Sequence, residues 1–252
     1  KMSTYKPLAE KLRPSELNDF IGQRHLLDSD KPIGKALSDK QLHSMILWGP
    51  SGVGKTTLAR IICAQMGAHF EQMSAVLDGI KELRNVIKHA ELYKQNDIST
   101  ILFVDEIHRF NKAQQDAFLP HIESGLITLI GATTENPSFE INSSVLSRAR
   151  VYILNKLSNK ELESIAVRAM TDQNVKLEND GSLSLIIDRS DGDARRLINI
   201  IEQLTAKSNH ALSKKDIIKM LQSKVSSFDK GGDIYYEQLS AFHKSVRGSS
   251  PD

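Results

Sequence analysis

A run of small residues in the first quarter of the chain has the composition and spacing of a phosphate-binding loop. Its members are Gly49, Pro50, Ser51, Gly52, Val53, Gly54, Lys55 and Thr56. They match a glycine, four residues and Gly-Lys-Thr, a pattern in which backbone N–H groups surround phosphates and the lysine adds a positive charge. The Thr56 hydroxyl is placed to bind Mg²⁺, and Thr57 continues a helix whose positive dipole end would face the anion. The sequence therefore predicts a nucleoside triphosphate site.

Two adjacent carboxylates follow a continuous apolar stretch further along the chain. Residues 100–104 are typical of a strand buried on both faces, and Asp105 and Glu106 come directly after it. Ligands gather at the carboxyl ends of strands in open α/β sheets, so Asp105 can hold Mg²⁺ together with Thr56. Glu106 points to the other side of the strand end and can orient or deprotonate the water that attacks the γ-phosphate. A polar strand end is the simpler explanation, but the upstream phosphate loop favours hydrolysis.

Three other places in the sequence could also contact phosphate. Thr133 and Thr134 end the next predicted strand, and we expect one of them, preferably Thr134, to face the phosphates. Arg148 lies just before the fifth predicted strand, where its pattern is also that of an ordinary surface arginine. Arg195 lies in the first turn of a predicted helix that follows Gly192. Because a cation there opposes the helix dipole, its position hints at an external anion.

Strands and helices alternate through the first part of the chain, which predicts a parallel sheet with right-handed crossovers. The predicted strands are residues 45–48, 69–73, 100–104, 127–130 and 151–154, and a turn is predicted over residues 131–134. The predicted helices are residues 57–66, 79–95 and 112–122, followed by a short helix that reaches residue 150. The second helix has a predicted buried face formed by Ile80, Leu83, Ile87, Ala90 and Leu92. The predicted fold class is α/β, a five-stranded parallel sheet flanked by helices.

From about residue 157 the pattern changes to helices alone. They are predicted over residues 159–170, 183–189, 194–207 and 215–221, with a further helix over 234–246. We therefore divide the chain into a nucleotide-binding core (residues 1–155), a small all-α domain (156–224) and a linker with the start of another domain (225–252). The final Ser249-Ser250-Pro251-Asp252 resembles the start of a helix, with a serine cap and proline in the first turn. We accordingly expect the chain to be cut short.

The composition is that of an ordinary globular protein, with 40% hydrophobic and 25% charged residues. A net charge of +2, from 33 basic and 31 acidic residues, neither indicates nor excludes a nucleic-acid binder whose basic groups share one face. No apolar run approaches the roughly 18 residues that span a bilayer, so we expect no membrane partner. The single cysteine, Cys63, excludes an internal disulfide and fits a reducing cytoplasm. It lies on the apolar run after the phosphate loop and is expected in the core.

Together these motifs resemble those of an AAA+ ATPase of the clamp-loader type. The resemblance is carried by residues 49–56, Asp105-Glu106, Gly131-Ala132-Thr133-Thr134, Ser147-Arg148-Ala149-Arg150 and Gly192-Asp193-Ala194-Arg195-Arg196. Three longer strings, residues 102–112, 114–123 and 131–139, are similar to the replication-associated recombination protein A family, also called MgsA. The eukaryotic relative of that family is the Werner-helicase-interacting protein. The resemblance extends over essentially the whole chain.

The resemblance implies ATP as the nucleotide, with Mg²⁺, and it adds roles within one subunit. The segment from Arg13-Pro14 to Ile21-Gly22 is similar to the adenine-contacting box of the family. Thr134 corresponds to sensor 1, and Arg195 corresponds to sensor 2, carried by a helical lid that the all-α domain would form. The implied catalytic set is Lys55, Asp105, Glu106, Thr134, Arg148 and Arg195.

The resemblance also implies contacts between subunits. Arg148 occupies the position of the arginine in the clamp-loader Ser-Arg-Cys motif and would be an arginine finger acting on ATP held by a neighbouring subunit. Ala149 replaces the cysteine of that motif. The tail from Phe228 is similar to the beginning of the C-terminal oligomerisation domain of the family. We therefore expect the full-length protein to form an oligomer, a tetramer or a ring.

For function, the resemblance implies a DNA-dependent ATPase that acts in replication-associated recombination and repair. The expected substrates are stalled forks, gaps or DNA ends, presented as single-stranded, gapped or forked DNA. Replication proteins such as the single-stranded DNA-binding protein are expected partners, in a bacterial cytoplasm and in association with the nucleoid.

Two other functions remain open at this point. A branch-migration motor similar to RuvB shares residues 105–109 and 131–134, although residues 136–139 and the tail favour the first interpretation. A clamp-loader-like subunit could instead bind ATP as a structural element without hydrolysis. The intact set of Lys55, Asp105, Glu106 and Arg148 argues against that, because a purely structural subunit needs no hydrolytic residues.

Overall fold

The computed structural model describes residues 6–205 and 211–228. Its centre is a five-stranded sheet in the order β2-β3-β4-β1-β5, in which every neighbouring pair is parallel. The strands are β1 (Met45–Trp48), β2 (His69–Ser74), β3 (Thr100–Asp105), β4 (Ile127–Thr133) and β5 (Arg150–Ile153). The predicted fold class is confirmed.

Strand β4 is longer than the sequence pattern predicts. Residues 131–133, expected in a turn, continue the strand and pair with residues 46–48 of β1. Gly131 fits this position because a Cβ atom there would lie 2.7 Å from Cδ1 of Ile46. The turn prediction is therefore wrong for these residues, and Thr133 is the last residue of a buried strand.

Helices cover the sheet and build the second part of the chain. Up to the end of the sheet they are α1 (Leu8–Lys11), α2 (Arg24–Leu27), α3 (Pro32–Ser38), α4 (Lys55–Met66), α5 (Ile80–Lys94), α6 (Lys112–Asp116), α7 (Leu119–Glu123), α8 (Pro137–Glu140) and α9 (Ser143–Leu146). After the sheet they are α10 (Asn159–Gln173), α11 (Ser182–Ser190), α12 (Ala194–Thr205) and α13 (Lys214–Phe228). Two 3₁₀ turns lie at Leu17–Asp19 and Ile107–Arg109.

Several helix boundaries differ from the predicted ones. The helix predicted over residues 112–122 is divided into α6 and α7, and Pro120 lies in the first turn of α7, where its missing N–H is tolerated. The helix predicted to reach residue 150 ends as α9 at Leu146, and Arg150 begins β5. The last lid helix continues beyond its predicted end to Phe228. The helix predicted over residues 234–246 lies outside the described residues.

The central strands are covered on both faces, which explains their continuous apolar sequences. On one face, α4 contributes Leu58, Ile61 and Ile62 to a core cluster. Cys63 is buried in the same cluster, as predicted, and burial raises the pKa of its thiol to about 11.

On the other face of the sheet, α5 buries Leu83, Val86 and Ala90. Leu92, predicted for this buried face, is 58% exposed. It follows Ala90 by two residues, a spacing that places it on a different side of the helix.

The helices α10 to α13 pack around a third apolar cluster that includes Leu162, Ala166 and Leu197. Leu8 of α1 belongs to this cluster, and its backbone N–H donates a hydrogen bond to Oε1 of Glu202 at 2.9 Å. Helix α1 therefore packs against the second domain rather than against the sheet. Within residues 6–205 and 211–228, no helix is long and apolar enough to cross a membrane.

Candidate nucleotide-binding site

A cavity of about 490 Å³ opens at the carboxyl ends of the central strands, beneath the helices of the second domain. Its walls come from the segment before β1, the phosphate loop, the end of β3, and the helices α10 and α12. Predicted site residues that line it are Arg13, Pro14, Ile21, Ser51, Gly52, Val53, Gly54, Lys55, Thr56, Thr57, Asp105, Glu106 and Arg195. This edge of an open parallel sheet is where ligands bind in such folds.

The phosphate loop makes a tight turn between β1 and α4. Gly54, which precedes α4, has φ of +101°, and a Cβ atom there would lie 2.7 Å from Cζ of Phe20. Gly52 has φ of +67°, and a Cβ atom there would lie 1.8 Å from Oδ1 of Asp193. The two glycines thus permit the left-handed backbone and also the close approach of two other segments.

Lys55 begins α4, and its side chain turns back beneath the loop. Its ammonium group donates hydrogen bonds to the backbone oxygens of Gly49 at 2.6 Å and of Pro50 at 2.8 Å. Burial lowers the pKa of the ammonium, while the carboxylates of Glu106 and Asp105 act in the opposite direction. Gly49 and Pro50 therefore serve the site through their carbonyl groups, which fix the position of a buried cation.

Asp105 and Thr56 supply the oxygen atoms predicted to hold Mg²⁺. Asp105 is the last residue of β3, Thr56 lies in the first turn of α4, and both line the cavity. Carboxylate and hydroxyl oxygens are hard ligands that Mg²⁺ accepts, and the cavity leaves room for the water and phosphate oxygens that complete its octahedral shell. The residues present fit this ion.

Glu106 is held in an unusual backbone conformation at the edge of the cavity. Its φ of +53° lies in the left-handed region, which few residues other than glycine adopt. The 3₁₀ turn at Ile107–Arg109 follows at once and brings Nε2 of His108 to 3.3 Å from Oε2 of Glu106. Strained backbone of this kind is concentrated at functional sites.

The segment before β1 forms the other end of the cavity. Nη1 of Arg13 donates a hydrogen bond to Oγ1 of Thr57 at 3.0 Å, and Nε of Arg13 donates one to Oε2 of Glu10 at 2.9 Å. Pro14 and Ile21 line the cavity from the same segment. The guanidinium group is thus tied both to its own segment and to α4.

Further apolar residues complete this end, one of them, Phe20, from within the predicted adenine-contacting segment. Leu12 and Phe20 line the cavity from the first segment, and Ile198 lines it from α12. They offer an apolar surface that suits a flat aromatic base. Gly22, predicted to contact adenine, lies instead against the second domain, where a Cβ atom would be 2.7 Å from Cδ2 of Leu157. The adenine role of Gly22 stays a prediction.

The start of α12 rests directly on the phosphate loop. The Ser51 hydroxyl donates a hydrogen bond to Oδ2 of Asp193 at 3.0 Å, and the backbone N–H of Ala194 donates one to the carbonyl of Gly52 at 3.1 Å. Oδ1 of Asp193 also accepts from the N–H of Arg196 at 2.8 Å, as in a helix cap. The contact of Asp193 with Ser51 depends on how the two domains pack, so the sequence alone carries no signal for it.

Arg195 follows this contact and lines the cavity from the second domain, together with Arg168 of α10. Asp105 and Glu106 line the same cavity from the sheet, and burial and the nearby Arg195 both lower the pKa of the Lys55 ammonium. The helical domain therefore presents cations toward the place where the phosphate loop would hold an anion.

The two threonines at the end of β4 are placed differently. Thr133 is fully buried, and its Oγ1 lies 2.9 Å from Nδ1 of His108. Thr134 follows the strand, is half-buried and does not line the cavity. The sensor role of Thr134 stays a prediction, and the structure adds a contact for Thr133.

Arg148 lies outside the cavity, between α9 and β5. Its Nε donates a hydrogen bond to Oε1 of Glu123 at 2.6 Å, and its Nη1 donates one to the carbonyl of Ser144 at 2.8 Å. The side chain of Arg148 is 37% exposed and that of Glu123 is 52% exposed. The arginine is thus on the surface, where a neighbouring subunit could meet it, and its role stays a prediction.

The residues in the cavity can perform phosphoryl transfer to water. The phosphate loop and Lys55 can bind the phosphates, Thr56 and Asp105 can bind a divalent cation, and Glu106 can accept a proton. These groups lie in one cavity and follow β1 and β3, the two strands that flank β4 in the sheet.

Comparison with protein families gives two matches. The model described as the P-loop domain of the Holliday junction DNA helicase RuvB matches residues 12–151, and the model described as an AAA C-terminal domain matches residues 171–247. The first match ends within β5, and the second begins in the last turn of α10.

The chain is also similar to curated proteins. It is 48% identical over 263 residues to replication-associated recombination protein A of Escherichia coli (strain K12), with 99% of this chain and 59% of that protein covered. It is 42% identical over 277 residues to the ATPase WRNIP1 of Dictyostelium discoideum, with 99% of this chain and 31% of that protein covered. The chain therefore spans less than two thirds of the length of these relatives.

Among solved structures, a point variant of RuvB from Thermotoga maritima superposes with a TM-score of 0.72 at 28% sequence identity. The superposition covers 94% of this chain and 82% of that chain. The likeness therefore extends beyond the sheet and into the helical domain.

Proposed function

The chain belongs to the AAA+ ATPase family of the replication-associated recombination protein A, and we propose that it hydrolyses ATP in the cavity around Lys55. One observation carries the proposal. The buried ammonium of Lys55, the oxygen donors Thr56 and Asp105, and the carboxylate of Glu106 line the same cavity. Binding of ATP would need only the Lys55 ammonium among these groups, whereas hydrolysis of ATP needs all of them.

In the proposed complex, ATP spans the cavity from one end to the other. The adenine base lies against Pro14, Phe20 and Ile21, and the triphosphate lies over the N–H groups of residues 52–56. Lys55 then neutralises charge on the terminal phosphates from its fixed position beneath the loop. The cavity lining supports this orientation, because it includes the apolar side chains of Pro14, Phe20 and Ile21 and the cation of Lys55.

Hydrolysis then depends on the groups at the end of β3. Thr56 and Asp105 would hold Mg²⁺, which supplies charge neutralisation at the phosphate oxygens. Glu106 orients the attacking water and accepts its proton, and Arg195 approaches the phosphates from the helical domain. Thr134 would sense the terminal phosphate from the end of β4.

We further propose that each site is completed by a neighbouring subunit. Arg148 is on the surface of its own chain and outside its own cavity, as an arginine that acts on the ATP of a neighbour must be. An arginine supplied in this way is worth roughly 10³–10⁵ in rate. An oligomer, a tetramer or a ring, would then be the active form.

The substrate on which this ATPase acts is proposed to be DNA. The names of the relatives place replication-associated recombination protein A in recombination linked to replication. We therefore propose action on single-stranded, gapped or forked DNA at stalled forks or DNA ends, in the cytoplasm and near the nucleoid. Replication proteins such as the single-stranded DNA-binding protein are the proposed partners.

The hydrolysis step is tested by exchanging Glu106 for glutamine. The E106Q variant should bind a fluorescent ATP analogue as the parent protein does and release no phosphate, because the amide cannot accept the proton. E91Q is the matched control, since Glu91 is an exposed carboxylate on α5. Turnover by E106Q at the parent rate would remove Glu106 from the reaction.

The DNA substrate is tested by measuring ATPase turnover with duplex, single-stranded, gapped and forked DNA. We expect stimulation by at least one of the last three and none by covalently closed duplex DNA, which has no ends or gaps. The absence of stimulation by every DNA would favour the third function, a clamp-loader-like subunit that binds ATP as a structural element.

A RuvB-like motor is the second candidate function, favoured by the family match over residues 12–151 and by the superposition on RuvB. It predicts ATP-dependent migration of a four-way DNA junction. We expect the protein to bind gapped or forked DNA without moving such a junction. Junction migration that requires ATP and is lost in E106Q would establish the RuvB-like function instead.

A further inference from the structure

His108 lies between the carboxylate of Glu106 and the end of strand β4. Its Nε2 is 3.3 Å from Oε2 of Glu106, and its Nδ1 is 2.9 Å from Oγ1 of Thr133. The histidine side chain is only 8% exposed. Both ring nitrogens are thus engaged, one by a cavity residue and the other by a strand that enters the sheet beside β3.

The chemistry of the three groups limits the direction of these contacts. An ionised carboxylate can only accept, so an attractive contact with Glu106 requires that Nε2 of His108 carry a proton. The Thr133 hydroxyl lies 2.9 Å from Nδ1 of His108, donates to the carbonyl oxygen of Glu135 at 3.2 Å and accepts from the N–H of Glu135 at 3.0 Å. His108 therefore joins Glu106, through a contact of 3.3 Å, to a threonine hydroxyl that Glu135 holds in place.

The backbone around Glu106 is folded to make this arrangement. The left-handed conformation of Glu106 turns the chain sharply, and the following 3₁₀ turn at Ile107–Arg109 returns His108 to the carboxylate two residues before it. Ile107 is fully buried between them and anchors the turn in the core. The conformation is strained for glutamate, and its result is the contact with His108.

Thr133 also connects His108 and Glu106 to the phosphate loop. Its backbone oxygen accepts a hydrogen bond from the N–H of Gly49 at 3.1 Å. The carbonyl of Gly49 in turn accepts from the ammonium of Lys55 at 2.6 Å. The last residue of β4 is therefore bonded through its main chain toward Lys55 and through its side chain toward Glu106.

We propose that His108 is a positioning residue that ties the Glu106 carboxylate to Thr133 and so fixes the distance between the proton acceptor and Lys55. The proposal rests on the proposed function, in which Glu106 accepts the proton of the attacking water. Thr133 itself is fully buried and acts through His108 rather than on ATP.

This role has a specific kinetic consequence. Without the Nε2–H donor, the Glu106 side chain can leave the orientation in which it meets the attacking water. A misplacement of about 1 Å can lower a rate by about 10²-fold, whereas the phosphate loop and Lys55 still bind ATP. The turnover number should therefore fall while the affinity for ATP stays unchanged.

The test compares H108A, T133V and T133S in the full chain by steady-state hydrolysis and by equilibrium binding of ATP. We expect H108A and T133V each to lower kcat by about 10- to 100-fold with little change in the Kd for ATP. The T133S variant keeps the hydroxyl and should retain most of the activity. The double variant H108A/T133V should be no slower than the slower single variant, because both changes break the same series of contacts between Glu106 and Thr133.

Two control variants separate this role from general damage to the core. T100V removes the hydroxyl of another buried strand threonine, whose Oγ1 has no hydrogen-bond partner within the described residues, and should keep full activity. H89A removes an exposed histidine on α5 and should also be neutral. Thermal unfolding of every variant shows whether the fold is retained.

The outcomes distinguish this inference from the proposed function. Additive losses in the double variant, a T133S variant as slow as T133V, or a Kd that rises with the fall in kcat would each overturn the positioning role. If E106Q hydrolyses ATP normally, the function proposed for Glu106 fails first. If E106Q is inactive while H108A and T133V are fully active, only the role of His108 fails.

Discussion

The nucleotide cavity and the surface around Arg148 each present a cation that we propose acts on phosphate, and the two cations are held in opposite ways. Lys55 is 8% exposed, and its ammonium is fixed by two backbone carbonyls. Arg148 is 37% exposed, and its guanidinium is paired with Glu123, an even more exposed carboxylate. The Lys55 ammonium is fixed before any ligand binds, whereas Arg148 can exchange its ion pair with Glu123 for a contact with another group.

The difference matches where each cation is proposed to act. A group that serves its own subunit benefits from a fixed position, because no reorganisation is needed at the moment of reaction. A group that serves a neighbour must be able to leave its own surface. An exposed ion pair stabilises a protein by only about 0–1 kcal/mol, so separating Arg148 from Glu123 requires little free energy.

The largest effect that sharpens this comparison is expected from R148A. In the assembled protein, turnover should fall by roughly 10³-fold or more, and ATP binding should be unchanged, because the arginine acts only when a neighbouring site reacts. The measurement is ATPase activity beside equilibrium binding, with R150A as the control for an exposed arginine two residues away.

Mixing subunits tests whether Arg148 acts on a neighbour. R148A subunits combined with K55A subunits should recover part of the activity, because each K55A subunit still offers its arginine to a neighbour that binds ATP. If the mixture stays as inactive as its components, Arg148 does not act between subunits.

K55A should have the next largest effect. Unlike R148A, it should weaken the binding of ATP as well as lower turnover. Hydrogen bonds to charged groups are worth about 1.5–3 kcal/mol, which corresponds to roughly 10- to 150-fold in the Kd for ATP. Titration calorimetry of K55A beside R148A gives the clearest contrast. Equal ATP affinity in K55A and in the parent protein would contradict the function assigned to the cavity.

D193A should have a smaller effect, on stability and on the contact between the domains. It removes the cap of α12, worth about 0.5–2 kcal/mol, together with the hydrogen bond from Ser51. D193N keeps Oδ1 as the acceptor for the N–H of Arg196, and its Nδ2 can donate to the Ser51 hydroxyl oxygen, so it should be close to the parent protein in thermal unfolding. A D193N variant as unstable as D193A would show that the charge matters more than the cap.

E123Q should have the smallest effect. It keeps a hydrogen-bond acceptor for Arg148 and removes only an exposed charge, so the free energy of unfolding should change by less than about 1 kcal/mol. Turnover in the assembled protein should stay within about twofold of the parent. A large loss of stability or of turnover would mean that Glu123 fixes the position of Arg148. Arg148 would then be a fixed cation, as Lys55 is.

The sequence was sufficient for the parts of the site that are contiguous. Residues 49–56 form a loop whose spacing is set by the phosphate chain, and Asp105 and Glu106 follow a strand that its apolar run identifies. The parallel sheet likewise followed from the alternation of strands and helices. Local spacing carries such information because neighbouring residues in the chain must remain neighbours in space.

The remaining parts depend on contacts between distant segments, for which one sequence holds little information. Phe20 meets Gly54, and Asp193 meets Ser51, only because separate elements pack together. The end of β4 was predicted as a turn, because glycine is depleted in strands and favours turns when no partner strand is considered. Pairing with β1 extends the strand to Thr133, and this extension brings the hydroxyl of Thr133 to His108.

The contact between Asp193 and the phosphate loop has a mechanical consequence. Helix α12 starts at this contact and continues for 12 residues, about 18 Å at 1.5 Å per residue. If its first turn stays in contact with Gly52, the helix can rotate about this contact, next to the phosphate loop. A rotation of about 10° there moves the far end of such a helix by about 3 Å. A small change in the phosphate loop would therefore move the far surface of the helical domain by a distance similar to the width of a phosphate group.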